Sequence, residues 1–295
     1  MRFGVCLPNF RFGAEPSREA IVEVAVEAER LGYDSVWATD HLLVPGDMPR
    51  FGRVFESLST LAYLGGATSR VRLGTSVLIL AMRNAIEVAK QAATIDALTG
   101  GRLVLGVAAG YAEREFASLG ASFHDRGRHL DEAIGVMRTL WTDPDPRADG
   151  PRYRFADVLF EPRPVQPGGV PVWVGGNSPA AIARAARLGD AWHPDGLSSA
   201  QLADGVKLLR SQVPPGRRVG VGLRRTIDLR PGAEPEGRPT GSGEVPLRGP
   251  DEVRAEIAAL AGLGVDQLVC QFEHATLAEH LDQLRLLATD LALEP

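Results

Sequence analysis

Two hydrophobic patterns alternate along the chain. Short runs of consecutive apolar residues give way to longer stretches in which apolar positions recur three and four apart. The first pattern marks strands buried on both faces, and the second marks amphipathic helices. Strands are expected at 2–7, 35–39, 71–80, 102–108, 170–174, 190–193, 218–229 and 265–272. Ser17 caps a first helix whose apolar positions are Ile21, Val24, Ala25, Ala28 and Leu31, and Gly32 stops it. Further helices are expected at 56–68, 84–98, 129–141, 179–188, 200–212, 250–263 and 277–291, with a short one inside 112–128. The segment 142–169 reads as irregular, with a hairpin around 153–160; 230–249 is dense in Pro and Gly and reads as a long mobile loop.

Eight apolar strands alternating with helices imply an α/β chain folded as a (β/α)8 TIM barrel, one domain over 1–295 with loop insertions at its C-terminal face. The competing doubly wound sheet would carry G-x-G-x-x-G after its first strand; here Pro8-Asn9-Phe10 follows it.

Composition narrows the function classes. Net charge is −5, so the basic face of a nucleic-acid binder is missing. No apolar run reaches the roughly 18 residues of a membrane span, and residues 2–8 read as a strand, not a leader. A cytoplasmic enzyme acting on a small molecule is expected, without nucleic acid or membrane as partner. Cys6 and Cys270 have no metal or redox spacing and are expected to be thiols, even where strands one and eight meet.

Active sites of such barrels lie at the C-terminal strand ends. Here those ends carry Asn9, Asp40-His41, Ser76-Val77, Ala109-Gly110-Tyr111, Gly175-Gly176-Asn177, Trp192-His193, Arg224-Arg225 and Glu273-His274. Three histidines are thus expected to converge, although each one alone is equally compatible with packing. Ser178 as N-cap and Pro179 at the first helical position start a helix directly after the Gly175-Gly176 turn. That arrangement suits either a phosphate cradle or a plain strand-to-helix turn. A metal hydrolase would show H-x-H on strand one, which this chain lacks, so no metal ligands are assigned. The absence of G-x-S-x-G argues against a serine hydrolase.

Larger blocks resemble a known family. Glu27-Ala28-Glu29-Arg30-Leu31-Gly32-Tyr33-Asp34-Ser35-Val36-Trp37, Asp40-His41, the 72–77 segment Arg-Leu-Gly-Thr-Ser-Val, the 88–96 segment, Gly101-Arg102 and the Gly175-Gly176 turn are similar to the bacterial luciferase-like superfamily. Within it the chain looks most like actinobacterial coenzyme F-420 (deazaflavin)-dependent oxidoreductases. The resemblance implies that His41 acts on protons beside the reactive ring and that Asp40 accompanies it. It implies a non-prolyl cis peptide at Ser76-Val77 backing the ring, with Ala109 and Gly110 at the same face. It places the cofactor phosphate on Gly175, Gly176, Asn177 and Ser178. Tyr111 stands where sugar-phosphate dehydrogenases of the family carry a glutamate acid, with Glu113 and Glu115 further on; it reads as a proton donor or as an aromatic wall. The tryptophan those enzymes carry after the strand-two histidine is missing from 42–46. The implied activity is hydride transfer between F-420 and a small organic substrate. The alternatives are an FMN-dependent monooxygenase using O₂ with a flavin reductase as partner, and a noncatalytic flavin-binding barrel. A homodimer is implied as well.

Overall fold

A computed structural model describes residues 1–230 and 246–294. Eight parallel strands close into a barrel: β1 (Arg2–Cys6), β2 (Ser35–Ala38), β3 (Arg72–Thr75), β4 (Leu103–Ala108), β5 (Val172–Gly175), β6 (Ala191–His193), β7 (Gly220–Asp228) and β8 (Gln267–Phe272). The register runs Val5 to Val36, Val36 to Leu73, Leu73 to Leu103 and Leu105 to Val172. It continues from Trp173 to Ala191, Trp192 to Val221 and Leu223 to Leu268, and Cys270 returns to Val5. The helices are α1 (Arg18–Arg30), α2 (Ser57–Gly65), α3 (Ala85–Thr99), α4 (Glu113–Ser118), α5 (Arg126–Thr142), α6 (Pro179–Leu188), α7 (Ser199–Gln212), α8 (Gly249–Gly262) and α9 (Leu277–Asp290).

Local chemistry accounts for where these elements begin. The side chains of Ser17, Asn84, Ser178 and Thr276 each accept a backbone N–H in the first turn of their helix, and Ser198 closes a capping box with Gln201. The apolar stripe expected for α1 is buried at Ile21, Val24, Ala25 and Ala28. One continuous core joins the helices to the outer faces of the strands. A second cluster fills the lumen: Trp37 and Trp173 meet with ring centroids 4.8 Å apart among Cys6, Val104, Ala191 and Val269. Glycines make room for the indoles. A Cβ on Gly74 would stand 2.3 Å from Trp37, and one on Gly222 would stand 2.2 Å from Trp173.

Three expectations need correction. Strand three is not continuous over 71–80: it breaks after Thr75, and Leu78–Ile79 resumes pairing with β4; the Ser76-Val77 peptide between them is cis, as the family resemblance implies. Thr75 Oγ1 donates to Gly106 O at 2.7 Å, and a Cβ on Gly106 would lie 2.0 Å from the Thr75 carbonyl oxygen, so only glycine permits this approach. The hairpin spans 148–155, overlapping only the start of 153–160: Ala148–Asp149 pairs with Arg154–Phe155, and Tyr153 and Phe160 are buried. Helix α5 starts at Arg126, a turn before position 129. Of the loop expected at 230–249, residues 231–245 lie outside the described residues; its end, Leu247–Arg248, pairs with Ile227–Asp228. Cys6 and Cys270 are both buried thiols. Among the described residues no helix is long and apolar enough to cross a membrane.

Candidate active site

A cavity of about 870 Å³ opens at the C-terminal ends of the strands. The residues that the resemblance implicates line it: Asp40 and His41 after β2, Ser76 and Val77 in the β3 break, Ala109, Gly110 and Tyr111 after β4, and Gly175, Gly176, Asn177 and Ser178 after β5. Of the other strand-end residues His193 and Arg224 line it, whereas Asn9, Trp192, Arg225, Glu273 and His274 do not. The three histidines do not converge. His41 and His193 line the cavity, whereas His274 bonds the Phe272 carbonyl and packs on His280, ring centroids 4.4 Å apart. Beyond β8 the backbone of His274 bridges to Gly13.

His41 is oriented by a residue to which the sequence reading gives no role. Its Nδ1 lies 2.8 Å from Glu115 Oε2, and Glu115 Oε1 accepts the backbone N–H of Leu42 at 2.7 Å and of Leu43 at 3.3 Å. Glu115 is fully buried. Burial opposes its charge, but the bonds from His41 and the two amides outweigh burial and hold its carboxyl below the ordinary glutamate range. An ionised carboxylate only accepts, so Nδ1 carries a proton and Nε2 is the nitrogen left for a ligand.

Asp40, the adjacent residue, is committed to the frame. It accepts Ser57 Oγ at 3.0 Å, the Ile79 amide at 2.9 Å and Arg83 Nη2 at 2.6 Å. Burial raises its pKa despite the opposing pull of Arg83. Its bond to Ile79 pins the segment that resumes after the cis peptide.

The other side of that peptide is held by His193 and Arg224. Nδ1 of His193 bonds the Gly222 carbonyl, which can only accept. Nδ1 therefore carries the proton of the neutral ring, and Nε2 accepts from Ser76 Oγ at 2.8 Å. Burial lowers the His193 pKa to about 4, so the ring is neutral near pH 7. Arg224 forks onto Asp195 at 2.9 and 2.6 Å and reaches the Ser76 carbonyl at 3.2 Å.

The glycine turn after β5 offers backbone to the cavity. Gly176 adopts φ +114°, a region side chains avoid, and Asn177 locks the turn by exchanging bonds with the backbone of Asp195 at 2.6 and 3.2 Å. Gly175 serves packing, since its Cβ would stand 3.0 Å from Val77 Cγ1. Arg184, one helical turn into α6, is ion-paired with Asp131 and reaches the Gly127 carbonyl at 3.1 Å. Beside it Arg126 bonds only carbonyl oxygens, of Gly110 at 3.1 Å and Phe123 at 2.8 Å, so its charge is not neutralised among the described residues. Gln271, buried in the cavity wall on β8, has an amide Nε2 without a hydrogen-bond partner among the described residues. Arg126, Arg184 and Gln271 lie on no motif and are not legible in the sequence; Glu115 reads there only as an acid beyond Tyr111, and Arg224 only as a strand end.

The model of the luciferase-like monooxygenase family matches residues 1–230. A coenzyme F-420-dependent glucose-6-phosphate dehydrogenase of Amycolatopsis mediterranei is 37% identical over 174 residues, 58% of this chain and 51% of that protein. One from Kribbella flavida is 37% identical over 191 residues, 62% of this chain and 56% of its own length. The chain thus spans about half the length of the curated relatives it matches. Among solved structures, a monooxygenase from Streptomyces bottropensis superposes with TM-score 0.85 at 23% identity, covering 99% of both chains. A coenzyme F-420-dependent secondary alcohol dehydrogenase superposes with TM-score 0.81 at 18% identity, covering 98% of both. At these identities the two structures speak to the shared barrel fold.

Proposed function

The chain belongs to the luciferase-like monooxygenase family, and from that premise we propose that it is a coenzyme F-420-dependent oxidoreductase acting on a small organic substrate. The observation that carries this reading is one cavity lined both by the glycine turn and helix N-terminus at Gly176–Ser178 and by a carboxylate-oriented histidine, His41. The names of the relatives from Amycolatopsis and Kribbella favour F-420 over FMN.

The residues present suit a tricyclic cofactor with a phosphate tail. The turn with its helix N-terminus, together with the un-neutralised Arg126, would hold the phosphate. Val77 and Ala109 give an apolar wall, and the unpartnered Gln271 Nε2 is a buried donor that a ring carbonyl would satisfy. When bound, a deazaflavin exchanges a hydride at its C5 with a substrate carbon. His41 then moves the accompanying proton: Nε2 accepts it from a substrate hydroxyl, or returns it when a C=O, C=N or C=C group is reduced. Glu115 holds the ring in the tautomer that does this and stabilises the imidazolium formed. Ser76, held by His193 and Arg224, keeps the wall beneath the ring fixed. Tyr111, 64% exposed at the rim and edge-on to His41 at 6.0 Å, acts as a wall closing the reaction chamber.

The test is titration of purified protein with F-420 and with FMN. F-420 binding at micromolar concentration and FMN binding at least tenfold weaker is the expected result. Tight FMN binding without F-420 binding would favour the monooxygenase reading, with O₂ and a flavin reductase as partners. Binding of neither overturns the proposal.

A further inference from the structure

We propose that Arg50 is the substrate's anchor and that the substrate is an organic carboxylate. Arg50 lies in the loop after β2 and lines the cavity. Its guanidinium sits over three rings, 4.9 Å from the centroid of Phe51, 5.2 Å from Phe12 and 5.6 Å from Phe10. These faces hold the group in place and shield it, but they accept none of its N–H bonds in the plane. Among the described residues no carboxylate or carbonyl takes them. Every other arginine on this cavity wall has an answered charge or a carbonyl cage: Arg224 is forked onto Asp195, Arg184 onto Asp131, and Arg126 is fastened to two carbonyls. Burial, with Arg224 nearby, works against the Arg50 cation and outweighs the pull of Tyr111 and of Asp195, which makes no ion pair with it, so an incoming anion relieves a cost the free protein carries.

Position separates this cation from the phosphate turn. Arg50 rests on rings from the loops after β1 and β2, whereas the turn follows β5, across an eight-stranded ring. It stands instead beside the proton carrier, because Phe51 also packs on His41 with centroids 4.3 Å apart. A carboxylate on the guanidinium therefore leaves the body of the molecule beside His41. One unpaired charge matches a carboxylate better than a dianionic phosphate ester, and the planar fork fits two carboxylate oxygens.

The inference rests on the oxidoreductase reading, and calorimetry keeps the two apart. Benzoate, cinnamate and their amides are titrated first into the protein alone and then into protein saturated with F-420. At least one acid is expected to bind about tenfold or more tightly than its amide, a preference lost in Arg50→Gln and retained in Arg50→Lys. F-420 affinity should be the same in all three proteins. Failure of F-420 to bind overturns the functional reading while the acid-against-amide comparison still judges Arg50. The proposal falls if neither acid binds better than its amide, if Arg50→Gln keeps the preference, or if Arg50→Gln weakens F-420 as much as it weakens the acid.

Discussion

Glu115 reaches back across 74 positions to put a carboxylate oxygen 2.8 Å from Nδ1 of His41. The contact fixes which nitrogen of the ring faces the cavity. Glu115→Gln should lower kcat on the order of 10²-fold, and His41→Ala as much or more, with cofactor affinity changed less than about threefold. Following cofactor absorbance with a panel of secondary alcohols and enones provides the measurement. Wild-type turnover in His41→Ala would remove the residue from the mechanism.

Asp40 carries structural weight. Asp40→Ala strips Ser57, the Ile79 amide and Arg83 of their shared acceptor at a buried site, although Arg83 retains Glu56 at 3.2 Å. Loss of about 3 kcal/mol is expected from urea unfolding, because one partner of a buried pair is removed. An unchanged urea midpoint would contradict this.

His193 makes stability depend on pH. Its folded pKa is about 4 against 6.5 for an ordinary histidine. Between these values the unfolded chain holds the extra proton, so stability falls as pH drops from 6.5 to about 4 and is unaffected by this group above 6.5. The gap corresponds to about 3 kcal/mol. The urea midpoint of His193→Asn, less stable at pH 7, should decline less steeply over that window than wild type; parallel declines would refute the assignment.

The turn after β5 can be probed without touching the core. Gly176→Ala places a side chain at φ +114° with its Cβ 3.0 Å from that of Ala181. Affinity for F-420 should drop about tenfold or more, and Ser178→Ala should cost about 1 kcal/mol of stability through loss of its bond to the Ala181 amide. Equal cofactor affinity in Gly176→Ala and wild type would assign the phosphate elsewhere.

The barrel was readable because strands such as 103–108 and 267–272 are buried on both faces, and their helices announce themselves with caps such as Ser17 and Ser178. The residues just after β2, β3, β4 and β5 could be read as cavity wall on the same ground. What stayed hidden is contact between side chains far apart in sequence. Nothing in the spacing of Glu115 links it to His41, and Arg50 sits in a loop without periodicity. The break in β3 does not show in its apolar run and is legible only through the family resemblance at Ser76-Val77. His274 follows a strand as His41 does, yet its ring is taken up by the Phe272 carbonyl and by packing on His280.

Trp37 and Trp173 meet inside the lumen, seated against glycines, with the His193 ring 5.4 Å from one and 5.6 Å from the other. The barrel is thereby corked beneath the chamber, and traffic of substrate, product and protons must use the upper rim. Loops that shape that rim, including the one bearing Arg50, can diverge to suit new chemistry while the stopper and the histidine resting on it stay as they are.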